Sequence, residues 1–168
     1  MVLLSPSEID NILSESLSRL SHSLGPYPQA LFLLLYDFGF RFSELLKLHE
    51  WELNQDGTVI CHTLKGSNDR IHNLIEFPNL IQKSIIDGEN YNVTMSYRNF
   101  ERIFQKSTTG KLLVDGAKSI GTHLFRHNLI KKMSSDGNSI AAIKLFTGIK
   151  SDAIVQGYVN SKIYQLKY

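Results

Sequence analysis

Apolar positions in the N-terminal part of the chain recur with the period of an amphipathic helix. Residues 5–8, SPSE, are typical of a helix start in which Ser5 caps the first turn and Glu8 reaches back to the Ser5 backbone. Because the apolar spacing continues, we predict a first helix that ends near residues 21–25. Its apolar positions are Ile9, Ile12, Leu13, Leu17 and Leu20.

The next segment, residues 28–38, is apolar on nearly every face of the helix that it would form. Such a pattern is typical of a helix buried in a core. Gly39 follows and is expected to end this helix, since glycine readily adopts the conformation of a helix C-cap. A short helix at residues 42–48 is predicted directly afterwards.

The pattern then changes to short strand-like segments. The polar, glycine-containing sequences NQDG and GSND separate them and are typical of turns. We therefore predict a small three-stranded antiparallel sheet. Its strands are expected at residues 50–53, 58–64 and 70–77.

Beyond Pro78 the apolar spacing becomes helical again, with glycines between the helical segments. The predicted fold is therefore α+β, mainly α: a helical domain with one small antiparallel sheet. At 168 residues and 42% hydrophobic content, the chain fits a single domain over residues 1–168. The further helices are predicted at about 79–87, 96–107, 120–135, 138–147 and 151–163.

Charge is unevenly distributed along the chain, although the net charge is only +2. Residues 1–60 contain 3 Lys/Arg against 8 Asp/Glu, whereas residues 61–168 contain 15 against 8. Residues 98–132 alone hold 8 Lys/Arg against 2 acidic residues. This distribution fits a polyanionic partner such as DNA, although a solvated charged surface would produce it as well.

Several classes of protein are disfavoured by the composition. Cys61 is the single cysteine, so an intramolecular disulfide and a cysteine-based metal site are both excluded. The longest apolar stretch, residues 31–40, is interrupted by Asp37 and is much shorter than the roughly 20 residues that span a bilayer. With no secretory signal pattern at the N-terminus, we expect a soluble, intracellular protein without membrane attachment.

Polar side chains of the types that take part in catalysis occur at three places. Glu44 lies three residues after Arg41 and therefore on the same helix face, where it can hold the guanidinium or form an ordinary ion pair. His123 and Arg126 likewise share a face and can both point at a phosphate, or be a satisfied histidine beside a solvated arginine. Lys65 precedes a hairpin turn, where most lysines only maintain solubility.

Taken in order, these segments resemble the catalytic domain of the tyrosine recombinases, the phage integrase family. Residues 39–48, GFRFSELLKL, are similar to the first arginine box of that family, and residues 65–70, KGSNDR, to its lysine hairpin. Residues 123–127, HLFRH, are similar to its His-x-x-Arg box. The segment from 137 through Gly148 to Tyr158 resembles the last segment, which carries the tyrosine. The resemblance covers residues 27–160, nearly the whole chain.

The resemblance implies DNA cleavage and rejoining through a 3′-phosphotyrosyl intermediate, without a metal ion, cofactor or ATP. Arg41 and Arg126 would clamp the phosphate, because a guanidinium stays ionised and offers paired donors. Tyr158 would be the nucleophile, His123 would assist in removing its proton, and Lys65 would protonate the leaving 5′ oxygen. Glu44, His127 and Lys150 would be supporting residues, and Tyr164 is the alternative nucleophile.

One position departs from the family pattern. The glycine that corresponds to Gly148 is usually followed by histidine, sometimes by tryptophan, which hydrogen-bonds the scissile phosphate, but here Ile149 follows. Loss of one donor to a charged transition state costs on the order of 2–4 kcal/mol unless another group replaces it. Lys150 is the candidate replacement. Ile149 also favours an alternative function, that of a DNA-binding accessory protein which has lost activity.

The expected partners are double-stranded DNA and further copies of the chain, from dimer to tetramer on DNA. We expect the N-terminal core-binding domain of the family to be absent, since about 26 residues precede the apolar helix. Residues 159–168 form a short amphipathic tail that we expect to dock on a neighbouring protomer. A type IB topoisomerase or a telomere resolvase would share the tyrosine chemistry, and these residues do not separate those enzymes from a recombinase.

Overall fold

The structure is a computed structural model that describes residues 2–23, 26–63, 66–88, 111–114 and 123–166. The predicted fold class is confirmed: these residues form a mainly helical domain with small antiparallel sheets. The predicted helix at 96–107 lies outside the described residues. The helices are α1 (Pro6–Ser23), α2 (Pro26–Phe38), α3 (Phe42–Leu45), α4 (Asn79–Asp87), α5 (His123–Ser135), α6 (Ile140–Thr147) and α7 (Asp152–Asn160).

The predicted three-stranded sheet consists of β2 (Glu52–Leu53), β3 (Thr58–Cys61) and β4 (Arg70–Asn73). All its neighbours are antiparallel, and Cys61 pairs with Arg70 at the end that leads into the hairpin turn. The third strand is shorter than predicted, because residues Leu74–Glu76 turn into a 3-10 helix before α4.

A second antiparallel sheet was not predicted. Its strands are β1 (Val2–Leu3), β5 (Lys111–Val114) and β6 (Ile163–Leu166), in the order β1-β6-β5. The prediction of helix up to residue 163 was wrong, since α7 ends at Asn160. The partners of β6 lie at the N-terminus and in β5, so no local pattern in the sequence indicates this pairing.

Local sequence signals correctly indicated the start of α1 and the end of α2. The amide of Ser5 donates to Glu8 Oε1 at 3.1 Å, and the Glu8 amide donates to Ser5 Oγ at 3.2 Å, which is the predicted capping box. Gly39 ends α2 with a positive φ of 65°. The predicted helix at 42–48 is correct only in part, because α3 ends at Leu45 and a 3-10 turn follows at Leu48–Glu50.

The core is built around α2, which packs against α1 and α5. Leu31, Phe32, Leu34 and Leu35 of α2 are each at most 1% exposed, as expected from the apolar character of that segment. A second, smaller cluster of buried residues lies between α5, α6 and α7. Among the described residues, no helix is long and apolar enough to cross a bilayer. The second cluster comprises Ile130, Ile143, Ile149, Val155 and Tyr158.

A polar network fastens α5 to the first two helices. Asp10 Oδ1 accepts hydrogen bonds from the Tyr36 hydroxyl at 2.5 Å, from Asn128 Nδ2 at 3.1 Å and from Lys132 Nζ at 3.1 Å. Burial raises the pKa of Asp10, but these hydrogen bonds and the charge of Lys132 outweigh it and hold the pKa below its ordinary value. One carboxylate of α1 therefore joins side chains from α2 and α5.

We expect Asp10→Asn to lower the free energy of unfolding at neutral pH by about 1–3 kcal/mol, because charge-assisted hydrogen bonds are replaced by weaker ones. A depressed carboxyl pKa contributes stability above the unfolded pKa and loses it as pH falls. The difference between wild type and variant should therefore shrink below about pH 4 in urea unfolding. Asp136→Asn, at an exposed site, is the control. A difference that does not change with pH would contradict this role.

Candidate active site

The predicted first arginine box, residues 39–48, begins in the turn between α2 and α3. Gly39 reverses the chain, and a Cβ atom there would lie 2.9 Å from Leu129 Cδ2 of α5, so the turn packs closely on that helix. Phe40 enters the core at 1% exposure, and Arg41 precedes α3 in an extended conformation. The close approach between Gly39 and α5 brings the Arg41 segment beside Arg126.

Glu44 is the acidic centre of the site. Its carboxylate is 2% exposed, and Oε1 accepts a hydrogen bond from the Arg41 amide at 3.0 Å. The same oxygen lies 3.9 Å from Arg41 Nη1 and 3.6 Å from Arg126 Nη2. One buried carboxylate therefore holds the two arginines that the sequence analysis paired.

Arg126 is 1% exposed on the inner face of α5. Its Nε donates to the Gly39 carbonyl at 2.8 Å. Burial is the main cause that lowers the pKa of Arg126, followed by the charge of Arg41, whereas Glu44 and Tyr158 act in the opposite direction. Nη1 of this guanidinium is buried and has no hydrogen-bond partner among the described residues.

Tyr158 of α7 belongs to the same group of side chains. It is 9% exposed, and a hydrogen bond between its side chain and Arg126 is among the interactions that raise the Arg126 pKa. Its ring meets the His127 ring edge-on, with centroids 4.6 Å apart and an interplanar angle of 69°. Tyr164, the alternative nucleophile, lies instead in β6.

His127 is held in place by Ser161, the residue that follows α7. The Ser161 hydroxyl donates to the Tyr158 carbonyl at 2.7 Å and lies 2.9 Å from His127 Nδ1. Because this hydroxyl has one proton, which the carbonyl receives, Nδ1 must donate to the Ser161 oxygen. This contact orients the His127 ring against Tyr158.

The remaining predicted residues are placed only in part. Lys65 lies outside the described residues, and the side chain of His123 is not among the described ones, although the backbone of His123 begins α5 one turn before Arg126. Lys150 is exposed directly after Ile149. Ile149 is 3% exposed and packs in the apolar cluster that contains Tyr158.

The hairpin turn after Lys65 contacts the site on two sides. Arg41 Nη1 donates to Ser67 Oγ at 3.4 Å, and the Asn68 amide donates to the Gly148 carbonyl at 2.8 Å. Gly148 ends α6 with a φ of 78°, and a Cβ atom there would lie 2.4 Å from the Asn68 carbonyl oxygen. The close contact therefore requires glycine at this position.

Sequence reasoning missed Arg70, the first residue of β4. It is 0% exposed, its Nε donates to the Phe146 carbonyl at 2.6 Å, and its Nη2 donates to the Phe38 carbonyl. Burial lowers its pKa to about 9, so it remains charged at neutral pH. The sequence signal for its burial was strand alternation, which places Arg70 and His72 on one face of β4 and Ile71, 64% exposed, on the other.

The electrostatic character of the site is cationic. The pKa of Arg70 is affected by the charges of Glu44, Arg126 and Arg41, so three guanidiniums interact with one carboxylate. Positive charge therefore exceeds negative charge in a poorly hydrated place, where electrostatic interactions are strong. Such a site suits an anion that can accept several hydrogen bonds, and a phosphate group fits this description.

Comparisons with known proteins identify the family and the fold of this chain. A family model described as "Phage integrase family" matches residues 3–163. A crystal structure of XerA recombinase has a TM-score of 0.59 at 19% identity over 95% of this chain and 59% of that chain. A post-cleavage complex of the XerH site-specific recombinase with its palindromic difH substrate has a TM-score of 0.55 at 16% identity, over 94% of this chain and 49% of that one.

These likenesses to solved structures show a shared fold, and the chain spans only about half to three fifths of the length of those proteins. A search of curated protein sequences gave no significant match.

The contact between Gly148 and Asn68 can be tested against a matched glycine. Gly148→Ala and Gly137→Ala both place alanine at a positive φ, 78° and 91°, but the added methyl group meets nothing within 4 Å at Gly137. We expect each to cost about 1–2 kcal/mol for the backbone conformation, and Gly148→Ala to cost about 1–3 kcal/mol more for the overlap. Urea unfolding measures both. Equal losses would contradict the close approach of the hairpin.

Proposed function

The chain belongs to the phage integrase family, and we propose that it is the catalytic domain of a site-specific DNA recombinase that uses a tyrosine nucleophile. The proposal depends on the convergence of three side chains from separate helical segments. Arg41 and Arg126 both lie within 4 Å of the buried carboxylate of Glu44, and Tyr158 interacts with Arg126. A structural core has no need of this arrangement, because apolar side chains would fill the same space at lower cost.

Arg41 and Arg126 would bind the non-bridging oxygens of the scissile phosphate. In an in-line displacement, negative charge accumulates on those oxygens, and fixed donors in a poorly hydrated site stabilise it. The Arg41 side chain is 28% exposed and can meet DNA directly. Arg126 is buried and forms a hydrogen bond with the Tyr158 side chain, so we expect the phosphate to take over the donor that now binds the tyrosine.

Tyr158 would attack the phosphorus with its hydroxyl oxygen. The bond from phosphorus to the 5′ oxygen breaks, and the products are a 3′-phosphotyrosyl link and a free 5′-hydroxyl. The proton of Tyr158 would pass to His123, and Lys65 would donate a proton to the leaving oxygen. His127 would hold the ring of Tyr158 in position. Because one phosphodiester replaces another, the reverse step rejoins DNA without ATP.

The proposed partners are double-stranded DNA and further copies of the chain, from dimer to tetramer. The basic stretch at 98–132 would follow the DNA backbone and make binding depend steeply on salt. In the isolated chain β6 pairs with β1 and β5, so docking of residues 159–168 on a neighbour would have to coexist with that pairing or replace it. We propose that the protein acts inside the cell, where its substrate is.

A second function is favoured by one observation. Ile149 is buried in the apolar cluster and offers no donor where the family usually has histidine or tryptophan. An accessory protein that binds DNA without cutting it would retain the arginines and lack this donor. A cleavage assay separates the two functions.

We expect the wild-type chain to form a covalent adduct with a nicked suicide substrate, visible as a shifted band on a denaturing gel. Tyr158→Phe should abolish the adduct, because the nucleophilic oxygen is removed. Tyr164→Phe, a tyrosine in β6, should form it as wild type does. An adduct that survives in Tyr158→Phe would refute the assignment of the nucleophile. If wild type binds DNA but forms no adduct, the accessory function is favoured.

The donor missing at Ile149 leads to a separate prediction about Lys150. If Lys150 replaces that donor, Lys150→Gln should lower the single-turnover cleavage rate by about 10-fold or more. Adding Ile149→His to the same chain should restore part of the rate. Lys162→Gln, which removes another exposed lysine, is the control. Equal rates in the two lysine variants would contradict this role of Lys150.

A further inference from the structure

We propose that Arg70 is a positioning residue that sets the distance between the Arg41 segment and the Gly148 turn, and thereby the geometry of the phosphate site. This inference rests on the proposed function. Arg70 is too deeply buried, at 0% exposure, to touch DNA itself. Its influence would act through the backbone that it binds.

Arg70 and Arg126 bind neighbouring carbonyl groups. Arg70 Nη2 donates to the Phe38 carbonyl, and Arg126 Nε donates to the Gly39 carbonyl at 2.8 Å. These two peptide groups lie directly before Phe40 and Arg41. The chain segment that delivers Arg41 is therefore fixed by two guanidiniums from different elements, β4 and α5.

The other end of the Arg70 side chain binds the last turn of α6. Its Nε donates to the Phe146 carbonyl at 2.6 Å, two residues before Gly148. A Cβ atom on Gly148 would lie 3.1 Å from Arg70 Cγ, so the turn packs against the stem of the same side chain. One arginine therefore connects the ends of α2 and α6, and its own strand continues from the hairpin that carries Lys65.

The chemistry of this position suits arginine rather than lysine. A guanidinium is planar and can donate in two directions at once, here to two carbonyls in different elements. The plane also stacks over the Phe40 ring, with the carbon atom of the guanidinium 3.8 Å from the ring centroid. A buried cation lowers stability compared with a well-packed apolar residue, which indicates a role beyond packing.

The test compares Arg70→Met and Arg70→Lys with Ile81→Ala, a core variant in α4 at a fully buried site. The readouts are the single-turnover cleavage rate of a nicked suicide substrate per folded molecule, at saturating protein, and the dissociation constant for uncut duplex. We expect Arg70→Met to cleave about 10- to 100-fold more slowly, because small misplacements of reacting groups cost this much. DNA affinity should stay within about threefold of wild type, and Ile81→Ala should cleave at the wild-type rate per folded molecule.

Arg70→Lys retains the charge but has one nitrogen in place of the two that bind separate carbonyls, and it lacks the plane that stacks on Phe40, so we expect it to remain slow. If Arg70→Met does not fold, the lysine variant carries the same test. A wild-type rate per folded molecule in the foldable variants would overturn the proposal.

A second readout separates this proposal from the proposed function. The Asn68 amide bonds to the Gly148 carbonyl and the Gly39 amide to the Leu35 carbonyl, one at each end of the Arg70 contacts. Both amides should exchange hydrogen faster in the Arg70 variants than in Ile81→Ala. If wild type forms no adduct but this difference is found, the recombinase function fails while the positioning by Arg70 stands. If exchange is the same in all variants, Arg70 does not position these segments.

Discussion

The site depends on one buried carboxylate among three guanidiniums. Glu44 is 2% exposed, and removing a carboxylate from water is costly unless cations and hydrogen bonds replace the lost hydration. Arg41 and Arg126 lie within 4 Å of one of its oxygens, and its charge also acts on Arg70. The arginines in turn depend on Glu44, because their mutual repulsion would otherwise oppose the packing of α3, α5 and β4 into one core. The folded chain therefore retains excess positive charge at a defined place.

Apolar contacts around this polar centre help to fix the position of Tyr158, which the charges alone would not fix. Tyr158 interacts with Arg126 and belongs to a small apolar cluster with Ile130, Ile143, Ile149 and Val155. His127 meets the edge of its ring, and Ser161 anchors His127 at the end of α7. Ile149, which departs from the family pattern in its chemistry, thus belongs to the apolar cluster that contains the tyrosine. At position 149 an apolar side chain favours packing within the cluster, whereas binding of a phosphate would favour a hydrogen-bond donor.

Local patterns predicted much of the fold, since the capping box at Ser5 and Glu8 and the apolar spacing fix helices through nearest neighbours in sequence. The bounds of α4 agree with the prediction for the same reason. The second sheet could not be predicted, because its short strands are stabilised only by partners remote in sequence. In the site, the spacing of Arg41 and Glu44 predicted that the two side chains are close, and Arg41 Nη1 does lie 3.9 Å from Glu44 Oε1, but the spacing did not distinguish a functional pair from an ordinary ion pair. The contact between Tyr158 and Arg126 depends on how α7 packs on α5, and the buried orientation of Arg70 depends on which face of β4 meets the core. The roles of Lys65 and His123 stay predictions.

The proposed mechanism requires Tyr158, Arg41 and Arg126 to converge on one phosphorus atom. It is tested most directly by a crystal structure of the chain bound to a nicked duplex with vanadate in place of the scissile phosphate. We expect the Tyr158 oxygen to be an apical ligand of the vanadium, and Arg41 and Arg126 to donate to its equatorial oxygens. Vanadate bound elsewhere on the protein, or bound with Tyr158 still directed at Arg126, would contradict it.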